Sequence, residues 1–189
     1  MSITTIVVLV VIVIVVLIIV SMHNGLIRKK NEVVNAFGGM DVQLKKRYDL
    51  LPNLIETVKQ YMTHERDLLT KITELRGQAM GDNISDEDKL DLNSQISSAL
   101  KGIMVAVENY PDLKANTNFL NLQRTMNEVE SQISAARRAY NATVTDFNNG
   151  VQMFPSSIIA GMMHLETKKV FEIPVTEREN YNAKELFNN

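Results

Sequence analysis

The sequence predicts an all-α protein in which an N-terminal transmembrane helix is followed by an antiparallel up-and-down four-helix bundle. An uncharged apolar run opens the chain, and four later stretches carry apolar residues with a period near 3.5, as in helices that face a common core. The 189 residues leave room for one anchor and one soluble domain of roughly 150 residues. No strand-like alternation competes with the helical pattern.

The first predicted element is a membrane anchor over residues 1–24. Fifteen uninterrupted aliphatic residues run from Ile6 to Val20. Uncharged neighbours extend them to about twenty positions, or about 30 Å of helix, which matches one hydrocarbon core. The lack of charge before the run and the poor cleavage site argue against a removable signal peptide. The residues expected inside the bilayer include Ile6, Val10, Ile14, Leu17 and Val20.

A cluster of positive charge sets the expected topology of this anchor. Arg28, Lys29 and Lys30 follow the apolar run, whereas no basic residue precedes it. Positive charge is retained on the cytoplasmic side of a membrane. We therefore expect a single-pass protein with its N-terminus outside and its soluble domain in the cytoplasm.

The four-helix bundle is predicted over residues 25–155, with corners near Pro52, Gly81 and Pro111 and an exit at Pro155. A proline lacks the amide hydrogen and disfavours helix at the residue before it, so helices are expected to end there. Oxygen-bearing side chains mark the predicted starts of the last two helices, because they accept hydrogen bonds from free amides. These capping candidates are Ser85 for the third helix and Asn116 or Asn118 for the fourth.

The stretch KKRYDLLPNL, residues 45–54, places three cations just before the expected corner. Lys45, Lys46 and Arg47 would then occupy the last turn of a helix, where cations favour the negative end of the dipole. Two alternatives stay open. The triplet is also a candidate interaction site for an anionic partner or phospholipid, and a kinked continuous helix is possible in place of the corner.

The segment 156–172 carries a second apolar cluster. Its candidate interaction residues are Ile158, Ile159, Met162 and Met163, and Lys168 and Lys169 follow them. Such a stretch can pack under the bundle, lie on a membrane surface or contact another subunit. The last residues, 173–189, are predicted to form a polar tail.

Composition argues against most chemistry. The chain has no cysteine and three histidines, and it contains no Glu-x-x-His motif of the kind that di-iron bundles use. We therefore expect no metal, no cofactor, no catalytic residues and no small-molecule substrate. A net charge of −2 likewise argues against nucleic acid. Arg137 and Arg138 are candidates for a basic interaction patch, although a solvated helix face is the simpler interpretation.

Three stretches of the sequence resemble the LemA family of bacterial membrane proteins. They are DVQLKKRYDLLPNLIETVKQYMTHE (41–65), NYPDLKANTNFLNLQ (109–123) and ARRAYNATVTDFNNGVQMFPSSIIA (136–160). The chain departs from the family at Phe37 and Gly38-Gly39, where relatives usually carry a Trp-like residue. The resemblance implies a single-pass protein of the bacterial inner membrane with a four-helix domain, and it implies no catalytic residues or cofactor.

The expected function is therefore a non-enzymatic, membrane-anchored helical scaffold that forms homo-oligomers at the cytoplasmic face of the membrane. Membrane lipid is one expected partner, and a protein partner is possible. The alternatives are an accessory or adaptor subunit of a membrane protease or other envelope machinery, or a signalling adaptor.

Overall fold

The computed structural model describes residues 2–81 and 84–171, and the polar tail predicted for 173–189 lies outside them. Within these residues every regular element is a helix, so the predicted fold class, a helical bundle with a long apolar N-terminal helix, is confirmed. The helices are α1 (Ile3–Lys59), α2 (Arg66–Ala79), α3 (Asp86–Val107), α4 (Pro111–Lys114), α5 (Thr117–Gln152) and α6 (Ser156–Met162).

Helix α1 joins the apolar run to the folded part of the protein without a break. It is 57 residues long, and its N-terminal part is long and apolar enough to cross a membrane. This apolar part of α1 is not buried in the protein. The helix also continues through Gly38 and Gly39. The apolar span and the first helix of the folded part are therefore one continuous element.

The corner predicted at Pro52 is wrong, because α1 continues through this residue to Lys59. Proline has no amide hydrogen to donate to the carbonyl of Tyr48, four residues earlier, and such an orphan acceptor is costly when it lacks a partner. The side chain of Arg76 on α2 takes the place of the missing donor, since its Nε donates to the Tyr48 carbonyl at 2.8 Å. The chain turns later, between Lys59 and Arg66.

The other helix ends agree with the sequence. Helix α2 ends at Ala79, close to Gly81. Ser85 caps α3, since its Oγ accepts a hydrogen bond from the amide of Asp88 at 3.1 Å. Asn116 does the same for α5, where its Oδ1 accepts from the amide of Phe119 at 3.1 Å. Local chemistry at these positions determined where the helices start.

The chain divides into two compact units, and α1 and α5 contribute to both. Unit 1 contains the chain up to Gln43 together with Ser131–Val170. Its parts of α1 and α5 run antiparallel, because Lys29 pairs with Asp146 while Phe37, further along α1, packs edge-on against Tyr140 at 5.8 Å. The buried residues of unit 1 include Leu26, Val33, Phe37, Met40, Ile133, Tyr140, Val144 and Phe147.

Unit 2 contains Leu44–Glu130 and Phe171. It brings together the C-terminal part of α1, helices α2, α3 and α4, and the first part of α5. Its buried apolar side chains come from each of these segments, so unit 2 has a core of its own. They include Leu51, Leu54, Val58, Ile72, Leu75, Ile96, Ile103, Leu113, Phe119 and Val129.

Candidate functional site

A buried arginine connects three helices of unit 2. Arg47 on α1 is 4% exposed, and its Nη1 donates to Oδ1 of the fully buried Asn93 on α3 at 2.8 Å. Its Nη2 lies 3.0 Å from the Glu130 carboxylate on α5, which stays 44% exposed. A charge removed from water needs such partners, because its desolvation would otherwise cost several kcal/mol. Arg47 is therefore a structural link inside unit 2.

The position of the basic triplet corrects the prediction from the sequence. Because α1 continues to Lys59, the triplet does not lie in a last turn, and the helix-dipole explanation is wrong. Lys45 and Lys46 are exposed on the surface, and Lys45 pairs with Asp49 one turn further along at 2.8 Å. Only these two lysines present their charge to solvent, so an anionic partner of the triplet stays a prediction for them.

A polar cluster fastens the turn after α1 to the connection between α3 and α5. Tyr110 donates its hydroxyl hydrogen to Glu65 at 2.7 Å. This hydrogen bond, with partial desolvation and the carboxylate charge, raises the pKa of Tyr110 above its usual 10.0. Asn116, the cap of α5, also donates to the hydroxyl of Tyr61 at 2.9 Å. A tyrosine with a raised pKa is a poor base at neutral pH, so the cluster holds a corner together and does not suggest catalysis.

An open groove of about 450 Å³ lies beside α3 and α5 in unit 2. Leu100 and Met126 are buried at its base, Met104 is half-buried, and Val105 is 72% exposed. Flexible methionine side chains adapt to different apolar partners. The groove therefore has the chemistry to accept the apolar face of a helix. The charged residues that line it are Arg47, Lys101 and Glu130.

The anchor-side end of unit 1 is closely packed. A Cβ on Gly150 of α5 would lie 3.1 Å from Cδ2 of Leu26, so the two helices approach closely at this point. Further along the chain, Lys168 returns to α5, where its amide donates to Asn148 and its carbonyl accepts from Asn148, both at 2.8 Å. The segment between Gly150 and Lys168, which includes α6, therefore leaves α5 and returns to it.

This returning segment carries the apolar cluster predicted from the sequence, and its residues differ in exposure. Ile158 and Met162 are 57% and 75% exposed, whereas Ile159 and Met163 are half-buried. Phe154, just after α5, is 80% exposed. Phe147, within α5, is buried.

The remaining predicted site residues lie on the surface or near it. Arg28 and Lys30 are exposed, and the half-buried Lys29 pairs with Asp146. Arg138 is exposed and donates to Ser134 at 3.0 Å, while Arg137 is half-buried. These two arginines belong to unit 1, and the basic triplet belongs to unit 2. The expected membrane-spanning residues are all exposed: Ile6, Val10, Ile14, Leu17 and Val20.

Three structural residues escaped sequence reasoning: Arg76, Asn93 and Gly150. Of these three, only Asn93 could have been found from the sequence pattern. It precedes Ile96 and Leu100 by three and seven positions, and this spacing places it on the buried face of α3. No group of three or more histidine, aspartate or glutamate side chains is placed to hold a metal ion in residues 2–81 and 84–171.

These features define an all-helical protein with a candidate N-terminal transmembrane helix. The sequence model of the LemA family matches residues 36–184, and the chain belongs to that family. The chain is similar to protein LemA of Metamycoplasma hominis, with 29% identity over 169 residues, which cover 89% of this chain and 77% of that protein. The resemblance read from the sequence is thus confirmed.

Proposed function

We propose that this protein is a non-enzymatic, single-pass, membrane-anchored helical scaffold that associates with copies of itself. The observation that carries the proposal is the continuity of α1, in which an exposed apolar span and the first helix of unit 1 are one element. The span fixes unit 1 to the membrane surface. Unit 1 then presents its surface at a set distance from the lipid.

The soluble part faces the cytoplasm of a bacterial cell in this proposal. Arg28 and Lys30 are exposed just after the apolar span, and Lys29 is held beside Asp146. Their charge supports retention of this side of the anchor in the cytoplasm. The membrane is then the inner membrane, with the short N-terminus outside.

The surface that best supports self-association is a stripe on α1 within unit 1, made of Ile27, Val34 and Val42. They are 37%, 59% and 55% exposed. At 3.6 residues per turn they fall within an arc of roughly 80°, on the side of α1 away from its buried residues. Gly38 lies in the same arc, and a Cβ there would meet nothing within 4 Å. A second helix can therefore approach closely.

Anchoring in one membrane allows weak contacts between α1 stripes to hold copies of the protein together. Copies that share one membrane have a high effective concentration and a common orientation, so their α1 stripes meet side by side. The span itself adds little, because it is built from valine, isoleucine and leucine without a small-xxx-small pattern.

A pair of variants tests this proposal. Val34→Glu puts a charge into the stripe and should reduce crosslinked dimers and larger species in native membranes several-fold. Glu32→Gln changes one charge at an exposed position about 160° from Val34 and about 80° outside the stripe, and should leave them unchanged. A wild-type protein that is monomeric both in native membranes and on a detergent column would refute the scaffold.

An adaptor role is the second candidate, and the groove beside α3 and α5 favours it. Its occupant would be the apolar face of an amphipathic helix from a membrane-machinery subunit, with charged flanks that match Lys101 and Glu130. A photo-crosslinker at Val105 should then capture one dominant foreign protein, and Met104→Asp should abolish that product. Capture of other copies of this chain alone would favour the scaffold.

A further inference from the structure

We propose that α6 and the turn before it form a second membrane-contacting element, in which Phe154, Ile158 and Met162 enter the leaflet from which the anchor emerges. The inference rests on the proposed anchoring, and it assigns the partner of the exposed apolar cluster as lipid. It selects one of the three locations that the sequence left open for this segment.

The register of α1 and α5 places this element at the membrane. The uncharged span ends at Met22, and Leu26 lies about 6 Å further along the helix. Gly150 lies against Leu26 and Lys29, and α5 runs antiparallel to α1 in unit 1. Each residue of α5 after Gly150 therefore comes about 1.5 Å closer to the bilayer, so Gln152, the last residue of α5, is about 3 Å closer than Gly150. Phe154 follows two residues later, in the turn between α5 and α6.

The exposed side chains of this segment are large and apolar. Phe154 is 80% exposed, Met153 61%, Ile158 57% and Met162 75%. Ile158 and Met162 are four residues apart, so they share one face of α6, while Ala160 on another face is 1% exposed and holds the helix in place. A monomer rarely leaves such a cluster to water, and a lipid interface accepts it without a second protein.

Hydrogen bonds close the C-terminal end of α6, the helix that carries Ile158 and Met162. Leu165 donates its amide to the carbonyl of Ala160 at 3.0 Å, and His164 donates to Gly161 at 3.1 Å. With His164 at φ 50°, this is the Schellman arrangement that closes helices. The hydrogen bonds between Lys168 and Asn148 then return the chain to α5. The exposed face belongs to a segment anchored at both ends.

Exposed cations lie next to the layer that lipid headgroups would occupy. Arg28, Lys30 and Lys168 are exposed, and Arg28 lies about 9 Å beyond the end of the span. The headgroup layer is roughly 5–8 Å deep on each side of a bilayer, and long basic side chains extend along it toward phosphate. Apolar side chains with cations beside them match a bilayer, whereas the same face of a second copy would place these cations against cations.

Depth-dependent fluorescence quenching tests the inference on the full-length protein. The chain has no cysteine, so single cysteines can carry an environment-sensitive dye without a background. The variant Met162→Cys is reconstituted in vesicles of phosphatidylcholine and phosphatidylglycerol. Leu17→Cys, inside the span, is the lipid control. Ala139→Cys, exposed on α5 and further from the span, is the aqueous control.

The expected result is that nitroxide-labelled lipid quenches the dye at 162 several-fold more strongly than the dye at 139, while aqueous iodide shows the reverse order. Three other results would overturn the inference. Strong iodide quenching at 162 with lipid quenching at 17 refutes contact by α6 and leaves the anchor intact. Protection at 162 from both quenchers assigns the cluster to a second protein copy. Absence of lipid quenching at 17 refutes the anchoring itself.

Discussion

At the scale of single residues, Arg47 is buried although the two cations before it, Lys45 and Lys46, are exposed. Its guanidinium forms planar hydrogen bonds to an amide and a carboxylate on two other helices. A lysine presents one compact charge and could not reproduce both contacts. The buried fork therefore determines how α1, α3 and α5 pack in unit 2.

Alanine substitution of Arg47 and of Lys46 should have different effects on stability. We expect Arg47→Ala to lower the free energy of unfolding by about 2–4 kcal/mol, because it leaves Asn93 buried without its donor and Glu130 without its partner. Lys46→Ala removes an exposed charge and should cost under about 1 kcal/mol. Circular dichroism during urea unfolding of the detergent-solubilised protein measures both. Equal losses would contradict the buried link.

The raised pKa of Tyr110 predicts a dependence of stability on alkaline pH. Folding raises this pKa above 10.0, so the protonated hydroxyl is the form that the native state favours. The stabilisation is complete below pH 10.0 and is lost as the pH rises through the folded pKa. Tyr110→Phe should therefore flatten the fall in melting temperature above that pH. An unchanged slope in Tyr110→Phe would refute the contribution.

Contacts between residues close in the sequence could be predicted from it, whereas contacts between distant residues could not. Ser85 and Asn116 cap helices through amides three residues away, and a short-range rule finds them. Arg47 and Asn93 are 46 residues apart, and only the packing of unit 2 brings them together. A run of three cations gives no indication that one of them is buried.

At the scale of helices, Pro52 shows how a tertiary contact overrides a local signal. Proline in a helix interior costs about 3 kcal/mol, partly because one backbone hydrogen bond is lost. Arg76 restores a donor to the free carbonyl of Tyr48. Nothing in the sequence around Pro52 indicates this contact, so the local rule predicted a corner that α1 does not have.

A double-mutant cycle measures this compensation. Arg76→Met should cost about 1.5–3 kcal/mol in the native sequence, because it leaves the Tyr48 carbonyl without a donor. In the background of Pro52→Ala, the restored amide can donate to that carbonyl, and the cost of Arg76→Met should fall by more than about 1 kcal/mol. Equal costs in the two backgrounds, measured by chemical unfolding, would show that the two residues are independent.

The buried face of α2 departs from the apolar period at one position. Steps of four, three and four residues from Leu68 through Ile72 and Leu75 to Ala79 would place Leu68 in the core, but the structure buries Leu69 and leaves Leu68 half-buried. Ile72, Leu75 and Ala79 are buried. The apolar period therefore locates the buried face of α2 and misses one residue on it.

At the scale of the whole molecule, the proposed topology is open to direct labelling. Ser2→Cys and Val105→Cys place single thiols at exposed positions before the span and in unit 2. In intact cells an impermeant maleimide should label position 2 only, because the cations after the span retain unit 2 in the cytoplasm. Position 105 should react after the membrane is permeabilised. Labelling of position 105 alone in intact cells would invert the topology.

Composition and periodicity were enough to predict the long apolar N-terminal helix and the helical class, because both depend on properties that every residue in a long stretch shares. The division into two units was not predictable in this way. It arises because α1 and α5 are each long enough to contribute to both units. Helix length depends on where turns fall, and the turn after α1 is stabilised by Tyr110 and Asn116, far along the chain.

Because α1 is uninterrupted, no flexible joint separates its apolar span from unit 1. Spanning helices tilt when the thickness of the bilayer changes, and a flexible linker would normally absorb that tilt. Here the same helical backbone hydrogen bonds continue from the span to Phe37 and beyond, with no proline before Pro52. With the proposed anchoring, a change in the tilt of the span would therefore rotate unit 1, and the thickness of the bilayer would influence the orientation of unit 1.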